Sequence, residues 1–113
     1  MSFATHLECS LTGERYPVGE VHGLSAAGRP LLVRYDLDAV KGAVSKSELA
    51  ARNGGFWKYR EFLPTDASID LGEVITPLVR LREKGRSVEV WVKDEGRLPT
   101  GSFKARGLGV AVA

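Results

Sequence analysis

From Ser87 to Val92 the chain alternates, with Val88, Val90 and Val92 on one face and Glu89 and Trp91 on the other, the period-two pattern of a strand. Leu108 to Ala113 is apolar and unbroken by proline, which predicts a buried helix beginning near Ser102. Gly96, Pro99 and Gly101 punctuate the loop between them. Earlier in the chain, His6–Ser10 and Leu31–Tyr35 read as strands, separated by turns at Gly13, Pro17-Val18-Gly19, Gly23 and Gly28-Arg29-Pro30. Tyr35 to Leu63 reads as helical. Asp36 or Asp38 can cap a first helix with Leu37, Val40 and Val44 on one stripe, weakened by Gly42. Ser45 with Glu48 three residues on is a capping box that opens a second helix through Arg52, ended by Asn53-Gly54-Gly55. Phe56 to Pro64 sets aromatics beside Lys58 and Arg60; docking onto a core accounts for it better than single-stranded nucleic acid does. Thr65 to Gly72 is a polar connector. Pro77 pushes Thr76 toward extended geometry and so starts a strand at Leu78-Val79-Arg80-Leu81, with a turn at Lys84-Gly85-Arg86-Ser87. Strands interspersed with helices give an α/β class, without repeats or low-complexity tracts.

The last helical stretch carries no cap, no glycine stop and no basic last turn, and a helix apolar on all sides needs other elements to bury it. A strand followed by a helix normally feeds a parallel strand through a right-handed crossover. The expectation is the N-terminal part of a longer α/β protein; the competing reading is a complete small domain that tucks this helix away.

Composition narrows the picture. The 113 residues are 43% hydrophobic and 27% charged, and 16 basic against 14 acidic residues leave a net charge of +2. That balance offers no electrostatic case for nucleic acid or membrane partners. No apolar run reaches the length of a membrane span, and Met1 to Leu7 lacks the basic-then-apolar order of a secretory signal. The single cysteine, Cys9, fits a reducing compartment, so a cytoplasmic location is the default.

The candidate chemistry lies between Lys93 and Gly107. Strand, glycine-containing loop and helix start together expose free backbone N–H groups and a positive helix end, the usual seat of an anionic group. Lys104 falls in the first helical turn, where the helix dipole disfavours a cation and burial would push in the same direction. A neutral amine is what a Schiff-base nucleophile requires. The plainer alternative is that Lys104 neutralises a phosphate or points into solvent. Thr76 can offer a hydrogen bond to a bound group, but satisfying its own backbone is favoured. Arg106, on a different helix face from Lys104, is expected to tie the helix to a carboxylate elsewhere.

Pro99-Thr100-Gly101-Ser102-Phe103-Lys104-Ala105-Arg106-Gly107 resembles the lysine motif of fold type II (tryptophan synthase β-like) pyridoxal-phosphate enzymes, and within them the threonine synthase family. Lys93-Asp94-Glu95 is similar to that family's entry into the loop, and Leu71-Gly72-Glu73 with Thr76-Pro77-Leu78 is a second family-like motif. The resemblance implies pyridoxal 5'-phosphate as cofactor, held covalently by Lys104 with Phe103 beside its ring. It further implies that Thr100 and Ser102 contact the substrate, and that O-phosphohomoserine and water give threonine and phosphate. It implies a small phosphorylated amino acid as partner and a homodimer at full length. Related type II enzymes, a cysteate synthase or a threonine or serine dehydratase, and an inert fragment remain the alternatives. The first 35 residues resemble a small zinc-ribbon-like segment that has lost its metal ligands: Cys9 stands at the first ligand position, but Thr12, Ser25 and Ala27 at the other three, with His22 a poorly spaced substitute. No metal is expected, and His22 is read as a surface turn residue. The organisation expected is 1–35 for this segment, 36–64 helical, and 65–113 the start of a catalytic domain whose phosphate loop and ring-nitrogen partner lie beyond Ala113.

Overall fold

The computed structural model describes residues 1–67, 69–82, 85 and 87–113. Strands β1 (Ala4–Cys9), β2 (Arg15–Tyr16) and β3 (Leu31–Tyr35) form an antiparallel sheet in the order β2-β1-β3. Leu7 stands opposite both Tyr16 and Val33, and Cys9 opposite Leu31. A bulge between Ala4 and His6 shifts the register near the start of β1. Ser2 Oγ donates to Leu63 O at 2.5 Å, which pins the strand's approach to the later chain.

Helices α1 (Leu37–Ala43) and α2 (Lys46–Ala51) follow the caps read from the sequence. Asp36 Oδ1 accepts the Ala39 N–H at 2.8 Å, and the Ser45–Glu48 capping box is complete in both directions. The helical reading of Tyr35 to Leu63 needs correction at both ends. Tyr35 closes β3, and Phe56–Phe62 is a 3-10 segment kinked at Tyr59 (φ −95°, ψ 24°). Its bulky residues are held by outside contacts instead of an α-helical ladder. The Trp57 indole N–H donates to Ile69 O at 2.9 Å, and the Phe56 and Trp57 rings meet edge-on at 5.5 Å.

Gly55 lets the chain enter that segment. A Cβ added there would sit 1.9 Å from Glu73 O, a backbone atom that cannot swing aside. Gly55→Ala is expected to cost about 2–3 kcal/mol as an overpacking strain. Gly42→Ala, inside α1 with open space around it, should instead gain about 0.5–1 kcal/mol. Urea unfolding of both variants checks the pair; equal stabilities would contradict the Gly55–Glu73 approach.

Strands β4 (Leu78–Leu81) and β5 (Val90–Lys93) make a second, antiparallel sheet of two strands. The strand read at Ser87–Val92 therefore begins later and reaches Lys93. Val88 lies outside it, 70% exposed. In the turn read at Lys84-Gly85-Arg86-Ser87, Lys84 and Arg86 lie outside the described residues. The register puts Val79, Leu81, Val90 and Val92 on one face, and Leu78, Arg80, Trp91 and Lys93 on the other. No parallel crossover joins strands among the described residues. Helix α3 (Lys104–Val112) closes the order.

The buried apolar residues are few: Cys9, Val40, Val44, Leu63, Leu98 and Ala105. The chain exposes 8270 Å², where a compact protein of this mass exposes about 6100 Å². Its radius of gyration is 17.3 Å, against about 13 Å for a compact chain of this length. The terminal helix was expected to need other elements to bury it, and the described residues leave most of it uncovered. Only Ala105 of α3 is buried, while Leu108 and Val112 are exposed.

Candidate functional site

After β5 the Asp94 N–H donates to Pro77 O at 3.0 Å, so the lysine loop leaves the sheet still tied to the start of β4. A short 3-10 turn, Glu95–Arg97, then drops Leu98 into the core, where it is 3% exposed. Gly101 takes a positive φ of 67° and donates to Leu98 O at 2.7 Å, a reversal that residues with a side chain rarely make. Ser102 Oγ accepts the Lys104 N–H at 3.3 Å, and Thr100 Oγ1 donates to Ser102 O at 3.3 Å. The helix predicted from near Ser102 thus begins at Lys104 as its first residue.

Thr100, Ser102 and Lys104 line one cleft of about 370 Å³, walled by Ile69, Leu71 and Leu108. Three of the four sequence-predicted site residues are therefore brought together. Phe103 is 68% exposed and does not line the cleft. Lys104 is exposed as well, so burial adds nothing to the push of the helix dipole, and its amine enters no hydrogen bond or ion pair among the described residues.

Behind this cleft lies a polar cluster that the sequence reading only partly foresaw. Arg106 does tie α3 to a carboxylate. Its Nε donates to Glu95 Oε2 at 2.6 Å and its Nη2 to Oε1 at 3.1 Å. Thr76, 3% exposed, does not satisfy its own backbone. Its hydroxyl donates to Glu95 Oε1 and accepts from Lys93 Nζ at 2.6 Å. Lys93 Nζ also donates to Thr76 O at 3.1 Å and stands 3.5 Å from Glu95 Oε1. The Arg106 fork, and then Thr76, hold the Glu95 carboxyl down at about 2. Glu95 is the residue that sequence reasoning missed. Its pairing with Arg106 bridges a gap of 11 positions across a loop, which no helical or strand period reveals.

In the first sheet Cys9 is 2% exposed, and its Sγ–H donates to Ser25 Oγ at 3.0 Å. The Thr12 N–H reaches the sulfur at 3.4 Å, and Arg29 N–H donates to Ser25 Oγ at 3.2 Å. Hydrogen bonds that Ser25, then Thr12, can give to the thiolate form lower the thiol to about 7. Two of the three positions paired with Cys9 on the sequence thus meet it in space through hydrogen bonds. His22 stacks edge-on against Tyr16 at 5.4 Å, with Nε2 3.1 Å from Pro17 O. No group of three or more His, Cys, Asp or Glu among the described residues is placed to hold a metal ion. Nor, among them, is any helix long and apolar enough to cross a membrane.

Fold and site together define an α/β protein that presents a lysine from the first residue of a helix into an apolar cleft. No family model matches the chain, and no solved structure matches significantly. Curated sequences do match. The chain is 39% identical over 110 residues to a threonine synthase of Methanocaldococcus jannaschii, covering 92% of this chain and 27% of that protein. It is 37% identical over 112 residues to a threonine synthase of Methanosarcina acetivorans, covering 95% and 27%. A threonine synthase of Halalkalibacterium halodurans is 46% identical over 61 residues, covering 50% and 17%. Over nearly its whole sequence the chain is similar to threonine synthases, and it spans about a quarter of the length of these relatives.

Proposed function

We propose that the chain is the N-terminal part of a threonine synthase, a type II pyridoxal-phosphate lyase that converts O-phospho-L-homoserine and water to L-threonine and phosphate. The observation that carries this reading is the convergence of Thr100, Ser102 and Lys104 on one cleft, in a chain related to threonine synthases. The donor set fits the cofactor. An amine with no hydrogen bond or ion pair among the described residues stands at a helix start, hydroxyls flank it, and an apolar wall suits a pyridine ring. Lys104 would hold the aldehyde carbon, while Phe103, which the resemblance sets beside the ring, stands outside the cleft. When bound, pyridoxal phosphate supplies the electron sink for a carbanion at the amino acid's α-carbon.

The chain's own groups do the rest. As a free amine, Lys104 Nζ could take a proton from carbon and return one. Ser102 Oγ accepts from the helix N–H and keeps its own proton to offer a phosphate or carboxylate. Thr100 gives its proton to Ser102 O, which orients its remaining lone pairs. The exposed apolar surfaces of α3 and of the β4–β5 sheet suit a longer fold that would cover them, exclude water and pair as a homodimer in the cytoplasm.

The test is phosphate release with threonine formation from O-phosphohomoserine by the protein supplied with pyridoxal phosphate. Deamination of threonine or serine without phosphate release would move the reading to a dehydratase, and no turnover at all to an inert fragment.

We also propose that residues 1–35 are a ribbon whose hydrogen bonds replace a metal, followed by the helical segment 36–64 and the start of the catalytic domain at 65–113. Elemental analysis of protein purified without added metal should find no stoichiometric zinc. Zinc at one equivalent, lost in Cys9→Ala, would show that Cys9 recruits other ligands.

A further inference from the structure

The cluster of Thr76, Lys93, Glu95 and Arg106 has no part in the chemistry assigned to Lys104, yet it joins the start of β4, the end of β5, the lysine loop and α3 at one carboxylate. We propose that Glu95 is a positioning residue that selects the reactive amine: through Arg106 it holds Lys104 toward the cleft, and through Thr76 it keeps Lys93 occupied. The proposal rests on the reading of Lys104 as the cofactor lysine.

Helix α3 cannot hold itself. It has nine residues, glycines at 107 and 109, no side-chain cap at Phe103 and a single buried residue, Ala105. A helix this short and glycine-bearing is unstable alone. Its polar tethers from the first turn run through Arg106, by the short fork on Glu95 and by longer contacts of 3.4 Å from Nη2 to Val74 O and Thr76 Oγ1, with the guanidinium carbon 5.8 Å from the Phe56 ring centroid. Two residues subtend about 200° of a helix. Arg106 drawn inward therefore turns Lys104 to the opposite side, where the cleft lies.

Lys93 is the rival amine, at the end of β5 and in the same loop region. Its Nζ donates twice to Thr76 and faces Glu95, while Thr76 is itself fixed by donating to Glu95. To attack an aldehyde, Lys93 must first give up these bonds. Lys104 gives up none among the described residues. One carboxylate thus frees the first lysine and occupies the second.

The test uses the chain with equimolar pyridoxal phosphate and borohydride. A lysine nitrogen adds to the aldehyde carbon, one water leaves, hydride adds to the resulting C=N carbon and a solvent proton to nitrogen. Peptide mapping then gives the label at each lysine. Glu95→Gln is expected to lower the Lys104-to-Lys93 label ratio about tenfold, the size of one lost charge-assisted hydrogen bond. Arg106→Gln should lower Lys104 labelling without raising Lys93, Arg106→Lys should recover part of it, and Thr76→Val should raise Lys93 alone. Amide exchange over 104–112 should quicken in Glu95→Gln and Arg106→Gln. A folded Glu95→Gln protein with the unmodified ratio overturns the proposal, as does unchanged exchange in Arg106→Gln. If Glu95→Gln fails to fold, the opposite signatures of Arg106→Gln and Thr76→Val decide. Wild-type label on a lysine other than Lys104 defeats the cofactor-lysine reading itself, and the exchange data still judge the tether.

Discussion

Lys104→Ala is expected to remove the visible absorbance that pyridoxal phosphate gains on linkage to lysine, and to cut phosphate release from O-phosphohomoserine by at least about a thousandfold. The substitution leaves the scaffold intact. Lys104 is exposed, its side chain makes no described hydrogen bond, and alanine is the strongest helix former for the first position of α3. Far-ultraviolet dichroism and the unfolding midpoint should therefore match the parent. Lys104→Arg should be equally silent, because a guanidinium stays charged and cannot form the linkage. An absorbance band that persists in the alanine variant would place the chemistry on another lysine.

The largest stability effect is expected at Arg52 and Glu61. The Glu61 side chain is 8% exposed, and Arg52 grips it with a fork, Nη1 to Oε2 at 2.7 Å and Nη2 to Oε1 at 2.8 Å. The same Nη1 donates to Lys58 O at 2.8 Å, so one guanidinium links the end of α2 to the 3-10 segment. Arg52→Met strips the fork from a nearly buried carboxylate, leaving it the longer ion pair with Arg60 Nε at 3.4 Å, and should cost about 3 kcal/mol. Glu61→Gln keeps one acceptor for the fork, loses the other and removes the nearly buried negative charge, and should cost less. The Arg52 fork holds Glu61 at about 2, below its ordinary 4.5. The unfolded chain then binds the proton first as pH falls, so this contribution is whole above the ordinary value and disappears on descent through the folded one. Stability should fall between about pH 5 and pH 2, and Arg52→Met should flatten that slope. An unchanged acid limb in the methionine variant would show that the fork does not govern it.

Local chemistry was the most legible part of the sequence. Asp36 and Ser45 cap where their hydroxyl and carboxylate chemistry places them, and Pro77 stands directly before a strand. The approach of Thr100, Ser102 and Lys104 was legible too, because three positions across one tight turn and a helix start cannot be far apart. Features set by distant contacts were not. Val88 alternates like a strand residue, yet β5 pairs only from Val90 onward, where Leu81 stands opposite. Phe56 to Phe62 looked helical, but indole bonding to Ile69 and the close pass of Glu73 impose a tighter coil. Thr76 looked self-satisfied until Glu95 and Lys93, far along the chain, came to its hydroxyl. The burial expected of α3 presumed neighbours; none among the described residues buries Leu108 or Val112.

The most direct measurement is the identity of the lysine that carries pyridoxal phosphate after borohydride reduction of the protein. Among the six candidates, Lys41, Lys46, Lys58, Lys84, Lys93 and Lys104, the account predicts a single dominant modified peptide, the one containing Ser102-Phe103-Lys104. A dominant label on Lys93, or label spread evenly over all six, would contradict it.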